Sequence, residues 1–65
     1  DLQRFTEKVL IKLPKQQQLV YRMSRQQDLS YDEIAEELLI SRNTVKNHLV
    51  AALKTLKSQL QKAFL

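Results

Sequence analysis

Sixty-five residues, no cysteine, one histidine and a formal net charge of +4 describe a single small domain with no disulfide framework, thiolate metal site or His-pair zinc site. A chain of this size buries only about 60% of its unfolded surface, so its core has to be efficient or completed by a partner. No apolar run approaches the ~20 residues of a membrane span and no signal-peptide pattern opens the chain, which predicts a cytoplasmic protein. The chain starts at Asp1 rather than Met and reads as a domain cut from a longer protein.

Zero glycine and a single proline predict an all-α domain with tight connections. The first helix is predicted over Leu2 to Leu13, with Asp1 at its start. Leu2, Phe5, Val9 and Leu13 form one stripe, with Leu10 beside it. Pro14, with its fixed φ and missing N–H, suits the first position of a second helix running to about Gln26. Leu19, Val20 and Met23 form the inner face of that helix, with Tyr21 at the edge. Gln16, Gln17 and Gln18 are placed on its exposed face.

Asp28 and Leu29 connect to a third helix, whose start, Ser30-Tyr31-Asp32-Glu33, has the pattern of a capping box. Ile34, Ala35 and Leu38 face inward, and Ala35 is small where two helices would cross closely. Leu39 and Ile40 make a turn, and Ser41 caps the fourth helix. From Arg42 the apolar period is long: Val45, Leu49, Ala52, Leu53, Leu56, Leu60 and Phe64. Helical to the end, this segment would be ~34 Å long. Its last turns, with Leu56, Leu60, Phe64 and Leu65, are expected to pack on helices one and two. The fold class predicted is a small four-helix domain with a long C-terminal helix. Its residues 30–50, two helices joined by a short turn, have the layout of a helix-turn-helix, in which the second helix enters the DNA major groove.

Charge position supports that reading. Residues 1–40 hold six Lys/Arg and seven Asp/Glu, whereas residues 41–65 hold Arg42, Lys46, Lys54, Lys57 and Lys62 and no acid. A basic final helix is the electrostatic footprint of a polyanion partner, although a merely solvated lysine face has the same composition. With Val45, Leu49 and Leu53 inward, Arg42, Asn43, Lys46, Asn47 and Val50 face outward. Arg matches the guanine O6/N7 edge, Asn the adenine N6/N7 edge, and Val a thymine methyl. Lys54 and Lys57 lie further along and suit phosphates, as do Ser30 and Tyr31 at the start of helix three. Ser41 and Thr44, at the start of the last helix with its free N–H groups, complete the phosphate set. Thr44 suits a role in supporting the helix start equally well.

His48 falls near the inward stripe and is assigned to packing. Asp32, Glu33, Glu36 and Glu37 lie on one solvated face without oxygen ligands from elsewhere, so they are assigned to repelling DNA and not to a metal. No nucleophile–base pair, phosphate loop or metal set exists, so no catalysis, cofactor or small-molecule substrate is expected.

The strings L-P-K-Q-Q-Q-L-V-Y-R-M-S-R (13–25), L-S-Y-D-E-I-A-E-E-L-L-I-S (29–41) and T-V-K-N-H-L-V-A-A-L-K-T-L (44–56) resemble region four of bacterial RNA polymerase sigma factors, most closely the extracytoplasmic-function group. The resemblance runs from Leu13 to about Leu60. It implies recognition of the promoter −35 element in double-stranded DNA, docking on the β flap of RNA polymerase, and sequestration by an anti-sigma factor. It puts Arg42, Asn43 and Asn47 opposite −35 bases, Lys46 on phosphate or base, and Ser30 and Tyr31 on phosphate. His48 falls on a mostly apolar position of the family.

There are departures. Asp28 and Leu39 stand where that family commonly has glycine, and Gln18 where it commonly has arginine, which weakens the expectation of a DNA-backbone contact from helix two. A LuxR-type response-regulator output domain shares E-I-A and T-V-K-N-H-L. It usually opens its second helix with Thr-Pro followed by Arg-Glu, however, and its last helix breaks earlier. A different class of reading is a protein-binding module built on the apolar tail.

Overall fold

Pro14 shapes the first half of the chain. It disfavours helical geometry in the residue before it. The first helix, α1 (Leu2–Leu10), therefore ends three residues short of the expected Leu13. Residues 11–13 unwind through tighter bonds, Lys12 N–H to the Val9 carbonyl and Leu13 N–H to the Leu10 carbonyl, each at 3.0 Å. Pro14 itself is extended (φ −53°, ψ 146°) and caps α2 (Lys15–Arg25) from outside, one place earlier than expected. The computed structural model describes the backbone of residues 2–64 and the side chains of 3–63. The expected roles of Asp1 and of the Leu2, Phe64 and Leu65 side chains lie outside the described residues.

The glutamine run is less exposed than expected. Gln17 and Gln18 are half-buried, and the Gln18 amide donates to the Leu13 carbonyl at 2.9 Å. That bond closes the α1–α2 turn, which gives Gln18 a structural task. Glu7 and Arg22 tie α1 to α2 by an ion pair at 2.6 Å.

Helix α3 (Tyr31–Leu38) starts at the predicted capping box: Ser30 Oγ accepts from Glu33 N–H at 3.2 Å, and Ser30 N–H donates to Glu33 Oε1 at 2.9 Å. It stops at Leu39, which is left-handed (φ 57°, ψ 44°), while Ile40 N–H reaches back to the Ala35 carbonyl at 3.1 Å. Asp28, before α3, is also left-handed (φ 55°). These two turns need a positive φ, which explains why glycine would suit both places.

Helix α4 (Arg42–Phe64, 23 residues) runs unbroken and packs against α1, α2 and α3. One core cluster joins Val20 and Met23 of α2, Ile34 of α3, and Val45 and Leu49 of α4. A second joins Leu10 and Leu13 to Ala52, with Leu56 and Tyr21 packed against it. Leu19, expected in the inner face, is only half-buried, as are Ala35, Leu38 and Leu53. His48 is half-buried on α4, as its packing assignment anticipated. The tail follows expectation through Leu56, but Leu60 is 37% exposed. The molecule measures 37 × 18 × 16 Å, and its radius of gyration of 12.1 Å exceeds the ~11 Å of a compact chain this long, because α4 outruns the core. Among the described residues there is no strand, and no helix is long and apolar enough to cross a membrane.

Candidate nucleic-acid interface

The starts of α3 and α4 lie side by side. Tyr31 from α3 and Arg42, Asn43 and Lys46 from α4 line one shallow cleft. Asp32 reaches across to Arg42, with its Oδ1 3.5 Å from Nε. Tyr31 is half-buried and packs against the first core cluster. The cleft wall is thereby anchored to the interior.

Ser41 begins α4 by accepting from Thr44 N–H at 3.0 Å, and the two hydroxyls share a further bond of 2.8 Å. This supports the helix start, as the sequence allowed for Thr44. It also leaves one hydroxyl proton of the pair uncommitted, whichever of the two donates. The Ser30 hydroxyl, an acceptor in the capping box, likewise keeps its proton. At both helix starts an O–H donor and a positive dipole end remain able to meet an anion.

Burying Val45, Leu49 and Ala52 turns the opposite side of α4 to solvent. Asn43, Lys46, Asn47 and Val50 are all exposed there, at spacings of three, four and seven residues, hence on one stripe. Val50 is 53% exposed and puts its methyl groups on the stripe. The stripe is made of hydrogen-bonding and methyl-bearing groups of the kinds that read base edges.

Lys54 continues that stripe about 16 Å beyond Asn43 at 1.5 Å per residue, more than the ~12 Å width of the major groove. It is exposed. Lys57 is brought elsewhere. It borders an apolar groove between α1 and α4 lined by Phe5, Tyr21, Leu53, Leu56 and Leu60, about 21 Å from Asn43 along the helix. It lies apart from Asn43, Lys46, Asn47 and Val50, as its expected place further along the helix implies.

The carboxylates divide. Glu33, Glu36 and Glu37 line a separate depression with Leu29 on the outer side of α3, and Asp32 turns to Arg42. Sequence reading missed this pairing because the two residues are ten apart. The available signal was that each sits in the first turn of a helix, and those first turns adjoin in a helix-turn-helix. Glu33 is held below the ordinary carboxylate range, mainly by the Ser30 backbone N–H and then by the Ser30 side chain. Among the described residues no group of three His, Cys, Asp or Glu is arranged to hold a metal ion.

No curated protein and no solved structure matches the chain. A protein-family model does: the family described as Sigma-70, region 4 matches residues 6–56, from the second turn of α1 through the middle of α4, and so takes in the cleft and the stripe. The chain thus belongs to the sigma-70 region 4 family, helix-turn-helix domains of transcription initiation that in general recognise the promoter −35 element and dock on RNA polymerase.

Proposed function

We propose that this chain is the C-terminal domain of a bacterial extracytoplasmic-function type sigma factor that reads the −35 element with the first turns of α4. The observation that carries the reading is the single exposed stripe of Asn43, Lys46, Asn47 and Val50 beside the Tyr31–Arg42 cleft. In this reading Arg42, Asn43, Lys46, Asn47 and Val50 meet bases. Ser30, Tyr31, Ser41, Thr44 and Lys54 meet phosphates, with Lys57 outermost. The domain works in the cytoplasm by positioning alone, without catalysis, cofactor or small-molecule substrate. Family membership favours this reading over a LuxR-type output domain.

The test is Asn47→Ala, alone and with Arg42→Ala, in polymerase holoenzyme. Each substitution is expected to cost about 1–3 kcal/mol and to relax base preference at one position. Unchanged promoter binding by both variants would remove the base-reading assignment.

A second activity is supported by the Phe5–Tyr21–Leu53–Leu56–Leu60 groove: docking of protein, either the β flap or an anti-sigma factor. Leu60→Asp is expected to weaken such docking while leaving helicity and base preference unchanged.

A further inference from the structure

Arg42 does not stand alone at the mouth of α4. Its Nε is 3.5 Å from Asp32 Oδ1, and the two side chains are 70% and 76% exposed. So exposed a pair contributes little to the fold. Its effect is on geometry. A guanidinium presents five N–H donors in a planar fork, and an ion-pair contact at Nε biases its plane and favours the Nη edge for an outside partner. The contact to Asp32 is made through Nε, on the inner side of the guanidinium.

Charge adds discrimination. Asp32 adjoins a surface built to meet a polyanion, where an unpaired carboxylate is repelled. If Arg42 leaves it for a phosphate, Asp32 is left unpaired beside DNA, and that mode of binding is penalised. If Arg42 keeps Asp32 on one edge and meets a base with the other, nothing is left unpaired. The ion pair also strengthens once water leaves the groove. Selectivity then comes from a repulsive element as much as from an attractive one.

We propose that Asp32 is a positioning residue for promoter reading: it holds Arg42 by Nε so that the Nη edge addresses one base pair, and it disfavours Arg42 on phosphate. The proposal deepens the reading of α4 as the base-facing helix and rests on it. It also revises the assignment of Asp32 as a residue that merely keeps DNA away.

The experiment uses the full-length protein in polymerase holoenzyme and selects bound sequences from DNA randomised over the −35 region. Asp32→Ala and the nearly isosteric Asp32→Asn are expected to lower preference at one base pair by about fivefold or more while raising binding to unrelated DNA. Asp32→Glu is expected to restore preference. With Arg42→Ala already present, Asp32→Ala should change nothing further at that position.

If Asp32→Asn preserves the wild-type preference, or if Asp32→Ala shifts affinity equally at all positions with and without Arg42, Asp32 is only part of the bulk charge and the proposal fails. If Arg42→Ala and Asn47→Ala both leave preference unaltered, the reading of α4 fails and takes this inference with it. That outcome is distinct from the others.

Discussion

Replacing Leu39 by glycine is expected to stabilise this domain. Leu39 sits at φ 57°, ψ 44°, where its β-carbon crowds its own carbonyl. That geometry costs an L-residue roughly 1–2 kcal/mol. The side chain is 91% exposed, so removing it gives up almost no burial. Against the relief stands the greater freedom of glycine in the unfolded chain, about 0.4–1 kcal/mol. The net gain is about 0.5–1 kcal/mol, or roughly 2–8 °C in melting temperature for a domain of this size. Urea and thermal unfolding followed by far-UV circular dichroism would read it. Leu39→Ala is the control, because it keeps the β-carbon and the strain while losing the same exposed methyl groups, and its midpoint should barely move. A glycine variant no more stable than the alanine variant would refute the strain argument. Asp28→Gly should gain less, since Asp tolerates the left-handed region better.

Ala52 is fully buried against Leu10 and Leu13, so Ala52→Leu should overpack the α1–α4 contact and cost about 1–3 kcal/mol in urea unfolding. For Lys54→Ala in holoenzyme, promoter affinity should fall alike for all −35 sequences, and the slope of log affinity against log salt should become shallower by about one phosphate. The Glu7 carboxyl is lowered chiefly by its hydrogen bond from Arg22, and Glu33 chiefly by the Ser30 N–H. Their contributions are therefore complete above the unfolded glutamate value of about 4.3 and disappear as pH falls through the lower folded values. Urea midpoints measured down the acid limb should decline over that window, and Glu7→Gln together with Glu33→Gln should flatten the decline.

What the sequence disclosed was what depends on near neighbours. The Ser30–Glu33 box is a relation of three residues and formed as read. The inner stripe of α4 is a relation of three and four residues, and Val45, Leu49 and Ala52 are buried. The exposed stripe of the candidate site followed as its complement. The end of α1 was misplaced because leucine periodicity continues to Leu13, while Pro14 acts backwards on the chain without altering that period. Leu13 is still buried, so its hydrophobicity was read correctly and only its backbone was not. The Asp32–Arg42 pair depends on how helices cross, which no local spacing encodes. Gln18 looked like a missing arginine and proved to be a cap, a role visible only once the Leu13 carbonyl was left without a helical partner.

Helix α4 contains neither glycine nor proline over its 23 residues, so nothing in it is a hinge. From Asn43 near its start to Leu60 by the apolar groove is about 26 Å of rod, or the length of roughly seven to eight base pairs at 3.4 Å each. A protein seated at Leu60 and a base met at Asn43 would therefore be held at one separation and one angular phase. Inserting a single residue between them would turn one end against the other by about 100° while every local contact at each end survived. With polymerase seated at that groove, the helix would act as a mechanical gauge, converting the place where the domain is held into the place on the DNA where it can read.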